Sequence, residues 1–425
     1  MADANAIRQV KAIIDADKSR KFVVVSAPGK RNKNDIKITD MLYKCYGEVV
    51  ATGKCESFAV IRSRFEEIVS DLELDCDITA VLDRTEKEII ENKSADFAAS
   101  RGEYLSAYVT ANYLGAKFVD AADLIRFDSK GKLNEEYTDD KVKTILDGVE
   151  FAVIPGFFGK DSFGKIKTFS RGGSDITGSI IARGVKADLY ENWTDVSGFL
   201  VCDPRIVPEA KTIKQLTYKE LRELSYMGAS VLHSEAIFPV MKGKIPINIK
   251  NTFKPEDAGT MIVPNEMYKE DNETIITGIA GKKDFTVIYI EKSMMNAEVG
   301  FIRKVLSVVE HYGICVEHVP SGIDTVSIIL ASDQLEGILS DLVSEIRENV
   351  NPDYVHVIEN VSLIATVGHG MAKRSGTAAK IFSSLAEKGI NIKMIDQGSS
   401  ELNIIIGVAN SDYEDCIRTI YRAFN

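Results

Sequence analysis

The residues best suited to chemistry lie in 169–187, FSRGGSDITGSIIARGVKA. A short strand ends there, Arg171-Gly172-Gly173 makes a turn, and Ser174-Asp175 is placed to cap an Ile- and Ala-rich helix. Glycines let a backbone approach an anion, and a helix start offers free N–H groups and a favourable dipole. Arg171 can clamp a carboxylate or phosphate with two parallel hydrogen bonds. An ordinary glycine turn with a capped helix would use the same residues, so both readings stay open. It is not a Walker loop: Gly29-Lys30 has Val24 where GxxxxGK[ST] needs its first glycine.

Other segments are weaker alone. SAPGKR (26–31) is a strand-to-loop exit with small residues and two cations, and Thr39-Asp40 beyond it suits a helix cap. SRGEYLS (100–106) sets Glu103 beside Gly102 at an expected helix start, where a glutamate ordinarily only complements the dipole. NWTDVSGFLVCDPR (192–205) supplies Thr194 and Asp195 just outside a strand's carboxyl end, where α/β sheets hold ligands, and reaches Arg205 through the turn signal Asp203-Pro204. His233 has no partner in the sequence and reads as structural.

The elements that must position these residues alternate. Helical spacing over 4–17 precedes KFVVVS (21–26), and short apolar runs recur at 117–120, 151–154, 189–193 and 247–250, with helical stretches such as 58–74 and 219–232 between them. That alternation predicts an open, mostly parallel sheet sandwiched by helices, class α/β. With 425 residues, 45% of them hydrophobic, the chain has room for two or three domains. Its 52 basic and 63 acidic residues, net −11, argue against a nucleic-acid or membrane-surface partner. No apolar run is long enough to span a bilayer, and the first residues do not read as a signal peptide. Six scattered cysteines without CxxC, not clustered with the five histidines, predict reduced thiols in a cytoplasm and no metal site.

After residue 271 the chain repeats itself. A shift of 76 places Val287-Ile288 on Leu363-Ile364, Gly300 on Gly376, Val305 on Ile381, Gly313-Ile314 on Gly389-Ile390, Val316 on Ile392 and Gly322 on Gly398. The first copy reads as strand 286–291, helix 299–312, strands 315–319 and 325–330, helix 333–347 and strand 354–358, the ferredoxin-like βαββαβ order. The second copy lacks a last strand, and 275–280 (IITGIA) is expected to supply it, interleaving the two units.

Taken in order, VVVSAPGKR, ITDMLY, SRGEYLSA, SRGGSDITGS, YENWTDVSG, DPR, MGASVLH, GHGMAKRSGTAAKIF and INIKMIDQGSSELNI resemble monofunctional aspartate kinase over almost the whole chain. The resemblance implies an amino-acid-kinase catalytic domain over 1–265, a first ACT domain over 284–358, and a second from 275–280 plus 359–425. It also implies transfer of the γ-phosphoryl group of Mg-ATP (cofactors ATP and Mg2+) to the β-carboxylate of L-aspartate, the first step towards lysine, threonine and methionine. By position, Ser26, Thr39, Glu103 and Arg171 resemble the aspartate-binding residues, with Glu103 meeting the α-ammonium and Arg171 the α-carboxylate. Asp175 resembles the aspartate that organises transfer, Gly172, Gly173 and Ser174 the phosphate turn, and Thr194, Asp195 and Arg205 the nucleotide contacts. Met295, Phe301, Ile302, Val316 and Glu317 resemble a site for an amino-acid effector, lysine first and threonine second, with 397–403 of the second copy as the next candidate. Paired ACT domains imply a homodimer or a dimer of dimers.

Three departures stand out. The family's opening K-F-G-G-[ST]-S strand, with its lysine, does not occur in the sequence, Ser230 replaces a lysine found in some members, and Gly198-Phe199-Leu200 lacks a tyrosine of some relatives. The first supports an alternative, a non-catalytic ACT-type amino-acid sensor that keeps the kinase fold.

Overall fold

Strand and helix alternate through the first half of the chain, as the short β-branched runs predict. The computed structural model describes residues 1–170, 172–229, 232, 234–269 and 274–425, so Arg171, Ser230 and His233 lie outside the described residues. Contacts divide the chain into unit 1, Met1–Phe199 with Val231–Tyr268, and unit 2, Leu200–Ser230 with Lys269–Asn425.

In unit 1, β1 (Phe22–Val25) and β2 (Lys117–Phe118) flank β3 (Ala152–Pro155), all parallel. β4 (Phe158–Lys160) and β5 (Ile166–Thr168) form a hairpin. After β6 (Tyr190–Thr194), β7 (Gln215–Thr217) lies in unit 2, and the chain returns as β8 (Ile247–Asn251), parallel to β6, and β9 (Thr260–Val263), antiparallel to β8. The helices of this unit are α1 (Ala4–Asp15), α2 (Ile38–Thr52), α3 (Phe58–Asp71), α4 (Ile78–Asn92), α5 (Ala95–Leu114), α6 (Ala121–Leu124), α7 (Glu135–Leu146) and α8 (Gly173–Gly184); α9 (Tyr218–Tyr226) falls in unit 2 and α10 (Ser234–Gly243) again in unit 1. Small residues let α5 lie close to the sheet: Ala107 and Ala111 pack with Val25 and Val153. The helix expected over 219–232 stops at Tyr226; Thr217 and Glu220 form a capping box at its start.

Residues 200–230, read from the sequence as part of the kinase domain, pack in unit 2. The cause lies in α9. Leu221 and Leu224 are buried, and Leu224 lies so close to Gly278 that a Cβ there would stand 2.8 Å from it. Glu220, fully buried, accepts from Thr217 N (2.7 Å), Thr217 Oγ1 (2.8 Å), Thr277 Oγ1 (2.6 Å) and His369 N (2.9 Å). A buried carboxylate needs such donors; two come from the cap residue Thr217 and two, Thr277 and His369, from the repeat region.

The rest of unit 2 is one six-stranded antiparallel sheet. Its elements are β10 (Gly278–Glu291), α11 (Phe301–His311), β11 (Val316–His318), β12 (Thr325–Ala331), α12 (Leu339–Val350), β13 (Tyr354–Val367), α13 (Thr377–Glu387), β14 (Met394–Asp396), β15 (Asn403–Ala409) and α14 (Tyr413–Phe424). The strand order is β11-β12-β10-β13-β15-β14. Each copy contributes a ferredoxin-like set of four, and the two sets share β10 and β13. Gly278, Ile279 and Ala280 pair with Val367, Thr366 and Ala365, while Phe285–Glu291 pairs with both β12 and the first part of β13. The strands expected at 275–280 and 286–291 are therefore one strand of 14 residues, bent by register shifts near 282–287. A bulge redirects a strand without ending it.

The 76-residue shift holds through the left-handed residues Asp284 and Asn360, the glycines before α11 and α13, and both helices. It then becomes 78: Val316 corresponds to Met394 and Thr325 to Asn403, so the expected matches of Val316 to Ile392 and Gly322 to Gly398 do not hold in the structure. The second copy spends two more residues between helix and edge strand. The sheet curls so that its outer strands meet, with His318 Nδ1 2.9 Å from Asp396 Oδ2.

Candidate active site

The glutamate of SRGE does not start a helix. Ser94 caps α5, its Oγ accepting from Phe97 N at 3.2 Å, and Glu103 sits mid-helix. The Ser-x-x-Glu pattern at 100–103 imitates a capping box, but the earlier serine wins. Gly102 lets this turn approach the β1 exit: a Cβ there would lie 2.9 Å from Ala27 Cβ. Glu103 consequently accepts from the Ala27 N–H, while its Oε2 has no hydrogen-bond partner among the described residues and the residue is 5% exposed. Desolvation pushes its carboxyl up to about 7; the Ala27 N–H and the more distant Arg101 charge oppose that rise. A buried carboxylate with one oxygen unpartnered is made for a cation.

Ser26 follows directly from β1 and is exposed; Thr39 is half-buried in the first turn of α2 and forms no cap, since Lys37 takes that position without a side-chain bond. The loop between them is held by buried Arg64, which donates to Asp35 Oδ2 (2.5 Å) and Gly29 O (3.5 Å), while Asp35 accepts from Arg31 N at 2.9 Å. Those contacts keep the Asp35 carboxyl well below its usual range. The sequence reading did not single out Arg64.

Register carries the site across the sheet. Val25 pairs with Pro155, and Gly156 N donates to Val25 O at 2.9 Å, so β1 and β3 end together. Gly156 then meets the start of α8, where its missing Cβ would stand 2.7 Å from Ser174. Gly172, left-handed at φ 60°, is the residue before α8, and Gly173 lies against Phe157, 2.5 Å from where its own Cβ would be. Ser174 and Asp175 belong to the first turn instead of capping it. The first N–H groups of an α-helix have no partner within the helix, and here they belong to Gly173, Ser174 and Asp175. Asp175 is met from β6: Asn192 Nδ2 donates to its Oδ1 at 2.9 Å. Thr194 ends β6, half-buried, and donates to the exposed Asp195 at 3.2 Å. Ser26 thus follows β1, Glu103 meets Ala27 beside it, the start of α8 (173–175) meets Gly156 and Phe157 after β3, and Asp175 is held by Asn192 of β6, whose end carries Thr194 and Asp195. Arg205 is in unit 2, exposed and paired with Asp203 at 2.6 Å.

A family model described as the amino acid kinase family matches residues 1–251, and one described as an ACT domain matches 364–424. Aspartokinase 3 of Bacillus subtilis (strain 168) is 36% identical over 443 residues, covering 100% of this chain and 96% of that protein. The chain belongs to the aspartate kinases. As an aspartate kinase it is a phosphotransferase, with the amino-acid-kinase fold followed by an antiparallel ACT-type sheet. The crystal structure of Clostridium acetobutylicum aspartate kinase, described as an allosteric enzyme, matches with a TM-score of 0.91 at 53% identity, over 100% of this chain and 97% of that one. E. coli aspartokinase III in complex with aspartate and ADP shares the fold, with a TM-score of 0.74 at 23% identity over 99% and 97%.

The residues expected to bind an effector in this aspartate kinase divide. Met295 and Phe301 are buried members of the first copy's core, with Ile302 and Val316 packed at its margin. Glu317, on edge strand β11, accepts a hydrogen bond from the Tyr226 hydroxyl of α9. Lys282 Nζ lies 5.0 Å over the Tyr226 ring.

Proposed function

We propose that the chain transfers the γ-phosphoryl group of Mg-ATP to the β-carboxylate of L-aspartate, giving 4-phospho-L-aspartate, the first step of lysine, threonine and methionine biosynthesis. The observation that carries this reading is Glu103, buried, with one oxygen unpartnered among the described residues and a carboxyl pKa pushed up to about 7. Such a group favours a ligand that brings an ammonium, and a bound ammonium holds it ionised. Arg171 then takes the α-carboxylate, and Ser26 and Thr39 bracket the substrate. The acceptor, a carboxylate of ordinary acidity, is already ionised at neutral pH, so no general base is required. The site has to align two anions and offset their repulsion, which the N–H groups of Gly172, Gly173 and Ser174 are placed to do.

Among the described residues no three or more His, Cys, Asp or Glu side chains converge on a metal position. Mg2+ would arrive on the nucleotide's phosphates, a mode of binding that needs no all-protein cage. The chemistry such an ion would supply is neutralisation of phosphate charge. Thr194, Asp195 and Arg205 are the proposed nucleotide contacts.

Regulation by an amino acid, lysine first, is proposed at the first copy. Glu317 would accept the effector's ammonium and the N–H groups before α11 its carboxylate. The ACT pair, 284–358 and 275–280 with 359–425, would also join protomers as a homodimer or dimer of dimers. Six free cysteines suit a reducing cytoplasm. The test is direct: the purified chain is assayed with ATP, Mg2+ and aspartate for hydroxylamine-trapped aspartyl phosphate. Turnover with aspartate but not glutamate is expected. No turnover, with lysine still bound, would favour the sensor reading.

A further inference from the structure

Asp175 is gripped from two sides by one strand. Tyr190 and Asn192, two residues apart on β6, point to the same face of the strand. Tyr190 Oη donates to the Asp175 carbonyl oxygen at 3.2 Å, Asn192 Nδ2 donates to Asp175 Oδ1 at 2.9 Å, and Asn192 Nδ2 also donates to Tyr190 Oη at 3.1 Å. The three bonds close a ring through Asp175.

The ring fixes its own polarity. A tyrosine hydroxyl has one proton, which goes to the carbonyl, so it must accept from Asn192; a carboxylate can only accept. Both partners therefore need the amide nitrogen, and its two hydrogens serve one each. Burial and the Asp175 charge push the Tyr190 hydroxyl pKa up, so it stays a donor at any working pH. The helix makes room for this arrangement: a Cβ at Gly178 would stand 2.7 Å from Tyr190 Oη. Asn192 itself is only 8% exposed.

We infer that Asn192, braced by Tyr190, is a positioning residue that fixes the orientation of the Asp175 carboxylate for phosphoryl transfer. The inference rests on the reading that Asp175 organises that step. An aspartate in a helix's first turn can swing between rotamers, and alignment is most of what a phosphoryl-transfer site contributes. The amide hydrogen bond restricts that freedom.

The experiment compares the full chain with Asn192→Ala, Asn192→Asp, Tyr190→Phe and Asp175→Asn, measuring kcat, both KM values and the pH profile of kcat. Asn192→Ala is expected to lower kcat about ten- to a hundredfold, with KM for aspartate and ATP within about threefold. Asn192→Asp, nearly isosteric, sets two carboxylates against each other, so the acid limb of kcat should move up by about one pH unit or more. Tyr190→Phe keeps the Asn192–Asp175 bond and should cost less than Asn192→Ala. A kcat within threefold of the parent for both Asn192 variants, with an unmoved pH profile, overturns the inference while Asp175→Asn remains crippling. A fully active Asp175→Asn overturns the reading beneath it instead. Raised KM values at constant kcat would also overturn it, because Asn192 would then only shape binding.

Discussion

Glu103→Gln should stabilise the empty protein while damaging its affinity for aspartate. The Glu103 carboxyl rises from an ordinary 4.5 to about 7 because the folded chain strips its water, and the N–H groups of Ala27 and of Glu103 itself, with the Arg101 charge, offset only part of that loss. At 1.36 kcal/mol per pH unit, that rise corresponds to about 3 kcal/mol. The sign follows from proton counting. Between pH 4.5 and 7 the folded state binds more protons at this residue than the unfolded chain, so its contribution to stability falls as pH rises, and above 7 the full cost is present. Glutamine carries no charge and escapes that cost. At pH 8 the variant should therefore melt higher, by about 6–12 °C for a unit of this size. Near pH 4.5, where the folded-state glutamate is neutral, the gain should almost vanish. Calorimetric scans of unit 1 unfolding at both pH values, without ligands, read this directly. The same substitution removes a charge-assisted contact worth about 1.5–3 kcal/mol, so kcat/KM for aspartate should fall about ten- to a hundredfold. In the parent, kcat/KM for aspartate should drop about tenfold per pH unit below 7, a limb absent from the variant. Equal melting temperatures at pH 8, or an equal gain at both pH values, would refute the desolvation argument.

The proposed substrate clamp predicts that Arg171→Ala raises KM for aspartate about ten- to a hundredfold and KM for ATP far less; equal effects on both would contradict its role. Glu317→Ala should abolish lysine inhibition with uninhibited kcat within a few-fold, measured by inhibition curves and by calorimetric titration of lysine. Tyr226→Phe keeps the carboxylate but removes the donor, so lysine should still bind while its effect on kcat weakens about five- to tenfold. Glu220→Ala strands four donors inside unit 2 and should cost about 3 kcal/mol or more, read as a lowered denaturant midpoint for that unit.

Much of the fold is legible because periodicity is local. Buried parallel strands announce themselves as β-branched runs, and the repeat shows through its matched glycines and apolar phase. What the sequence hides are decisions made by distant partners. The helix carrying Glu103 starts six residues earlier than a cap at Ser100 of SRGE would suggest, because Ser94 caps it, and no local signal ranks one serine above another. Strands 275–280 and 286–291 fuse because a bulge, not a turn, separates them. Of the candidate site, the motif residues are readable, but their support is not. Arg64 and Tyr190 look like ordinary helix and strand residues until Asp35 and Asp175 arrive from elsewhere in the chain. Tyr190 and Asn192 do alternate with Glu191 on β6, and two hydrogen-bonding side chains on one face of the strand were the available clue.

The two ACT copies share a plan but not a surface. Glu317, the middle residue of β11, corresponds to Ile395 in β14, which is 49% exposed. A carboxylate at that position can take an ammonium; an isoleucine cannot, so the proposed effector site belongs to one copy only. The second copy is nevertheless tied to it through α9. Glu220, Glu223 and Tyr226 recur at i, i+3 and i+6 on one face of that helix. They meet, in turn, Thr277 and His369, then Asn403 (Nδ2 to Glu223 Oε2, 2.6 Å), then Glu317. The anchors are unequal. Glu220 is buried with four donors, whereas the Tyr226–Glu317 bond is exposed and single. A ligand acts on an equilibrium only through a difference in affinity between two states, and the weak anchor is where such a difference is cheapest to create. An ammonium on Glu317 would change that end of α9 while Glu220 held the other. Unit 1 resumes a few residues after α9, with α10 from Ser234, so a shift at Tyr226 has a short covalent route to the kinase unit.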